Sequence, residues 1–253
     1  ISQILDICSD SKLDLQSKSP KERDAILKEK TTLGPNYLRS MPLYAIGAGL
    51  IGFDYCLTDF GRMAKNYDSV LSQRDTLWLI HYFMSAPLGP GPLFWSRVVT
   101  TLFETGTVFH DSDVERIIDE TYFEQENKRL SSETISRTKT ILLSSYINTD
   151  KRPAALSGLS LLEKRGGSIE VLESEPPSFS ALGYALFHFW SHAHKDRLAI
   201  ALDVINGEAK LGKIFMISSG KTNMLLQQLE QSRYLDIYRT APPYQIVRLH
   251  NDP

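Results

Sequence analysis

The stretch Gly49-Leu50-Ile51-Gly52-Phe53-Asp54-Tyr55-Cys56-Leu57-Thr58-Asp59-Phe60-Gly61-Arg62 decides how this chain is read. Leu50 and Ile51 close an apolar segment, and Gly52 breaks it. Phe53, Tyr55 and Leu57 alternate with Asp54 and Cys56, the period of a half-buried strand. Thr58 stands where a helix N-cap belongs, its hydroxyl placed to accept from an amide two or three residues on. Helix, small hairpin, then a helix opened by Leu57-Thr58-x-x-Gly61 is the local pattern of a winged helix-turn-helix. That module most often lays a helix in the DNA major groove, although the same fold also hosts pure protein contacts.

Helix signals surround this stretch. Ser19-Pro20-Lys21-Glu22 combines an N-cap, Pro at N1 and Glu at N3, and predicts a helix to about Lys30. Asn36 to Ile51 reads as the next helix, with a break or kink at Met41-Pro42. The helix opened by Thr58 is expected to reach about Asn66. Gln73 to Ser85 is apolar all round, which predicts a central buried helix. Leu93–Phe103 and Ser131–Ile147 also read as helices, and Ser112-x-x-Glu115 as a capping box for a helix to Glu126. Beyond Lys151-Arg152-Pro153 the character changes. Ser168–Leu172 is strand-like, Phe179–His194 an aromatic-rich helix, Arg197–Asn206 another helix, and Gly212–Ile217 a short strand. Ser218 and Ser219 cap a helix to Gln231, and Tyr234–Tyr238 with Tyr244–Leu249 form a hairpin that repeats the winged-helix logic. The expected fold is mainly α with small β-hairpins, winged helix-turn-helix-like units around a central apolar helix. The expected division is 1–70 (winged-helix-like), 71–150 (helical) and 151–253 (helical and winged-helix-like).

The 253 residues, 42 % hydrophobic and 23 % charged, describe an ordinary globular protein able to bury a sizeable core. A net charge of −2 and a pI near 6.3 exclude a globally basic nucleic-acid coat, so any DNA contact must be a local patch. Cys8 and Cys56 make neither a disulfide framework nor a zinc site, which fits a reduced, cytoplasmic compartment. Ser40 to Phe53 is too short to span a bilayer, no signal peptide is visible, and no membrane association is expected. The first residue is Ile rather than Met, so an amino-terminal segment is expected to be missing.

Charge is segregated along the chain. Residues 111–126 are acidic, whereas residues 128–165 carry Lys128, Arg129, Arg137, Lys139, Lys151, Arg152, Lys164 and Arg165 against three acids. The second segment is either a phosphate-contacting surface or a solvated helix face. The candidate DNA-binding residues are Asn36, Tyr37 and Arg39 at the start of the helix before the first wing, Arg62 and Lys65 after it, and Arg137 and Lys139 as a second patch. Tyr234, Tyr238 and Tyr244 can stack on bases or pair across strands. His188, His192 and His194 read as a helix face and its last turn rather than a metal site, and His81 as a buried, hydrogen-bonded histidine. Asp203, Glu208 and Lys210 loosely imitate a nuclease set but lie on a helix end and loop. There is no Walker A loop, dinucleotide fingerprint or Cys-x-x-Cys, so no catalytic residue, metal ligand or cofactor is identified.

Thr76-Leu77-Trp78-Leu79-Ile80-His81-Tyr82, preceded by Leu57-Thr58-x-x-Gly61, resembles an uncharacterised bacterial family encoded in DNA phosphorothioation (SspB-like) defence loci. Ala181-x-x-Tyr184-Ala185-Leu186 with Phe189-Trp190 resembles its carboxy-terminal helix. Gly212-Lys213-Ile214-Phe215-x-Ile217 with Leu225-x-x-x-Leu229 resembles its last unit. The resemblance runs in patches from residue 33 to 249. It implies a DNA-binding accessory component of a phosphorothioation and anti-phage system, with double-stranded DNA and other proteins of the locus as partners and a homodimer as a possible form. The alternatives are a DNA nickase of the same pathway, which alone would require Mg²⁺ or Mn²⁺, and a non-catalytic scaffold that docks through the surface around Trp78 and Trp95.

Overall fold

The computed structural model describes residues 1–148 and 154–250, so Lys151 and Arg152 of the basic segment lie outside the described residues. The chain forms two compact units, Ile1–Met84 with Gly89–Pro92, and Ser85–Leu88 with the described chain from Leu93 onward. Among the described residues, no helix is long and apolar enough to cross a membrane.

The first unit holds α1 (Ser2–Cys8), α2 (Pro20–Lys30), α3 (Pro35–Gly47), α4 (Asp59–Tyr67) and most of α5 (Arg74–Ser85). The Ser19–Glu22 capping box is formed in both directions. Pro42 is accommodated inside a continuous α3, which ends at Gly47, earlier than expected, because Gly49 turns the chain at φ +71°. Ile4, Ile7, Leu15, Leu27, Ala45, Ile46 and Ile51 form one apolar cluster, with Leu38 and Met41 of α3 packed on it.

The Gly49–Arg62 stretch is tighter than a hairpin of two strands. A single antiparallel bridge, Ile51 to Leu57, closes it. Inside, Tyr55 takes φ 66° and the Asp54 carboxylate accepts from the Cys56 amide at 3.0 Å, so side-chain chemistry replaces the strand ladder. Thr58 caps α4 as expected, accepting from the Gly61 amide at 2.9 Å. Phe60 of α4 stacks on Phe83 of α5 at 5.3 Å. Leu77 through Met84 are all buried, and His81 sits fully enclosed with its ring edge-on to Trp78.

The second unit contains α6 (Leu93–Leu102), β1 (Val108–His110), α7 (Asp111–Glu126), α8 (Ser132–Tyr146), β2 (Leu162–Arg165), β3 (Ser168–Val171), α9 (Phe179–Ala193), β4 (Ala199–Ala201), α10 (Val204–Gly207), α11 (Leu211–Ile214), α12 (Ser219–Gln231), β5 (Leu235–Tyr238) and β6 (Gln245–Arg248). Two antiparallel sheets result, ordered β1-β3-β2 and β4-β6-β5. Phe109 pairs with Ile169, and Ile246 with both Ile200 and Ile237, so each sheet aligns apolar side chains across its strands.

Three local expectations change. Arg197–Asn206 is β4 followed by α10, because Ile200 is drawn into the pairing with Ile246. Gly212–Ile217 contains α11 rather than a strand, because Leu211, Ile214 and Phe215 bury one helical face. The box that opens α7 uses His110 and Asp113 instead of Ser112 and Glu115. Trp78 and Trp95 are buried, the latter donating to the Tyr146 hydroxyl at 2.9 Å, so neither supplies a docking surface.

Candidate nucleic-acid interface

Asn36, Tyr37 and Arg39 occupy the first turns of α3, and all three are exposed. The placement follows from the helix period. Leu38 and Met41 turn toward the apolar cluster, which leaves their neighbours facing water. Arg39 forms no ion pair among the described residues. Arg62 and Lys65 lie on α4 and are already engaged. Arg62 binds the Asp59 carboxylate and donates to the Leu57 carbonyl at 2.7 Å, and Lys65 binds the Asp6 carboxylate. A phosphate at either must displace a carboxylate.

Arg137 and Lys139 both belong to α8, but two residues along a helix turn side chains to nearly opposite sides. Arg137 is exposed, with Glu133 one turn away at 4.0 Å. Lys139 faces α7, where its ammonium meets Glu115 at 2.8 Å and Asp111 at 3.0 Å, with 12 % of the side chain exposed. The hydrogen bond from Lys139 to Glu115 is the main reason its pKa rises, with Asp111 adding to it. The structure therefore separates this pair into one outward cation and one that joins α7 to α8. Outside α8, Arg129 binds Asp119 and lies over the Phe123 ring, and Arg165 binds Glu163 and Glu170 across β2 and β3. Lys164 of β2 is exposed and forms no ion pair among the described residues.

The histidines behave as a helix terminus. The His188 and His192 rings lie 4.3 Å apart, and His192 Nδ1 lies 2.8 Å from the His188 carbonyl oxygen. Burial, and then the neighbouring His192, lower the His188 pKa to about 4. His194 Nε2 instead meets Glu208 at 3.1 Å, which ties up one member of the Asp203–Glu208–Lys210 set. Among the described residues, no group of three His, Cys, Asp or Glu side chains is placed to hold a metal ion. Tyr234, Tyr238 and Tyr244 are each about half exposed on and beside the β5–β6 pair.

A cavity of mixed polar and apolar lining in the second unit lies around Lys213, Ser219 and Lys221. Read as sequence, Ser218 and Ser219 signal only a helix cap. The signal for the cavity is the longer run Ser218-Ser219-Gly220-Lys221-Thr222, small residues and a lysine at a helix start.

The model of a family described as "Protein of unknown function (DUF4007)" matches residues 33–252. No curated protein matches the chain. Two solved structures share its fold. One, described as SspB, superposes with a TM-score of 0.75 at 16 % identity, covering 98 % of this chain and 79 % of that one. The other, described as magnesium ion-bound SspB, gives 0.72 with the same identity and coverage.

Proposed function

The chain belongs to the DUF4007 family, and from that premise we propose that it is a DNA-binding component of a phosphorothioation-linked defence system. One observation carries this reading. The second unit repeats one chain order, helix, strand, two or more helices, then two strands: α6-β1-α7-α8-β2-β3, and then α9-β4-α10-α11-α12-β5-β6. In both runs the last strand lies between the other two, giving β1-β3-β2 and β4-β6-β5. That order is what a winged helix requires, with the helix before the strand pair as the groove reader and the pair as the wing. The readers are then α8 and α12. The exposed residues of α8 are Ser132, Glu133, Thr134, Ser136, Arg137, Thr140, Ile141 and Ser144, mostly short polar groups, with Arg137 the one cation and Glu133 the one acid among them. The wing that follows carries Lys164 and turns through Gly166 at φ 61°. Arg137 and Lys164 thus serve as phosphate contacts of the first repeat, one from the reader helix and one from the wing. Asn36, Tyr37 and Arg39 add a patch on the first unit. Arg62 and Lys65 are held in reserve by their carboxylates, and Lys139 acts through α7.

The resemblance in sequence and the fold shared with SspB support the pathway assignment. Duplex binding measured against salt tests the reading. Affinity should fall with ionic strength, along the modest slope that a few phosphate contacts give. Arg137→Ala should lower the slope of log K against log salt by about 0.9, the value for one phosphate no longer neutralised. An unchanged slope and affinity in Arg137→Ala removes α8 from the interface.

A second reading is a nickase of the same pathway, favoured by the magnesium ion in one SspB structure. Relaxation of supercoiled plasmid that requires Mg²⁺ and disappears in a single side-chain variant would establish it. A mobility shift without nicking returns the chain to the accessory role.

A further inference from the structure

A cavity of about 800 Å³ opens in the second unit, within the range of small-ligand sites. A smaller hollow of about 290 Å³, beside Tyr244 and Pro243, shares Asn206 and Ser219 with it. Two lysines line the larger cavity, Lys213 from α11 and Lys221 from the first turn of α12. Lys213 Nζ donates to the Thr100 carbonyl at 3.4 Å, a neutral partner. Neither lysine forms an ion pair among the described residues. Lys139, the cation joining α7 to α8, by contrast has two carboxylates.

The amides at the start of α12 face the same question of partners. Ser218 Oγ accepts from the Lys221 amide at 3.2 Å, and the Ser218 carbonyl from the Thr222 amide at 2.9 Å. The amides of Ser219 and Gly220 have no partner among the described residues. A Cβ built on Gly220 would have only Ser218 Oγ within 4 Å, at 3.9 Å, so this edge of the helix is open. The lining also holds Glu104, from the loop after α6, and Glu173, just past β3. The hydrogen bond from the Gly106 amide to the Val171 carbonyl, at 2.9 Å, joins those two segments. Neither glutamate is ion-paired among the described residues. The cavity therefore carries separate cationic and acidic groups that do not neutralise each other, and it is fitted to a ligand that is anionic at one end and rich in hydroxyl or amine donors elsewhere.

We propose that this cavity binds a phosphomonoester of a nucleoside. Lys213, Lys221 and the amides of Ser219 and Gly220 take the phosphate, and Glu104 and Glu173 accept from sugar hydroxyls or base amines. The ligand is a free mononucleotide or the phosphorylated end of a DNA strand, which share this chemistry. The site lies at the start of α12, the second proposed reader, and does not depend on the duplex contacts of α8 and α3.

Calorimetric titration of the intact chain tests it with two matched pairs: AMP against adenosine, and a short single strand with a 5′-phosphate against the same strand with a 5′-hydroxyl. The phosphorylated member of at least one pair should bind about tenfold more tightly or better, as expected for charge-assisted hydrogen bonds. Preference in the AMP pair identifies a free nucleotide, and preference in the strand pair alone identifies a strand end. Lys221→Gln should abolish the preference. Ser219→Asp guards against a folding artefact, because a carboxylate at a helix start favours the helix while it repels the phosphate. That variant should keep the melting temperature and lose the preference. Equal binding within both pairs, or a preference that survives in Ser219→Asp, overturns the site. Arg137→Ala, altered on α8 alone, should weaken duplex binding and keep the phosphate preference, so this site and the duplex reading fail separately.

Discussion

At the scale of single residues, Gly61 fixes how α4 meets the chain before it. A Cβ there would lie 1.8 Å from the Leu50 carbonyl oxygen, an approach that side-chain rearrangement cannot relieve because the neighbour is backbone. Gly61→Ala is therefore expected to destabilise the protein by about 2 kcal/mol or more, read by urea unfolding; a change within experimental error would show that α4 has room to move away from Leu50. Arg137 and Lys139 form the complementary test, because the two cations differ in partners rather than in type. Lys139→Ala leaves Asp111 and Glu115 facing each other and should cost about 1–2 kcal/mol of stability with duplex affinity unchanged. Arg137→Ala should weaken duplex binding and leave stability intact. Weakened binding in Lys139→Ala with reduced stability in Arg137→Ala would exchange the two roles. Arg39→Ala should weaken duplex binding without changing the melting temperature, and unchanged affinity would take α3 out of the interface.

At the scale of elements, α9 links burial to pH. His188 is held neutral in the folded state down to about pH 4, whereas an unperturbed imidazole protonates near 6.5. The unfolded chain thus takes up the proton first. Stability is complete above about pH 6.5 and declines toward pH 4, by up to about 3 kcal/mol for a shift of this size. His188→Leu should flatten that slope in denaturant titrations at stepped pH, and an unaltered slope would assign the acid sensitivity elsewhere. The elements also show where sequence is legible. Local chemistry places the helix starts at Ser19, Thr58 and Ser218, each of which caps as a side-chain acceptor, whereas the box read at Ser112 forms two residues earlier, at His110. Nonlocal pairing is not legible. Ala199–Ala201 is a strand only because β6, some 45 residues further on, lies beside it. The Phe53-x-Tyr55-x-Leu57 alternation points to strands, but Tyr55 at positive φ and the Asp54 side chain close a turn instead. The candidate site divides the same way. The cations are plain in the sequence, but which of them already hold a carboxylate is decided by neighbours distant in the chain, as Asp6 for Lys65 and Asp111 for Lys139.

At the scale of the whole molecule, a net charge of −2 leaves no long-range attraction to DNA, so binding must come from local surfaces. Arg39, Arg137 and Lys164 are exposed and not closely paired, whereas Arg62, Lys65, Arg129, Lys139 and Arg165 hold carboxylates. A small number of phosphate contacts and a modest salt slope should follow. If both strand-and-helix runs act as the winged helices proposed above, a duplex long enough to meet α8 and α12 together should bind more tightly than a shorter one. The most direct test is the affinity of the intact chain for duplex DNA as salt is varied, compared between the unaltered protein and Arg137→Ala. The predicted result is binding that weakens with salt, along a slope shallower by about 0.9 in the variant. No binding at low salt, or identical slopes for the two proteins, would contradict the claim that α8 reads DNA.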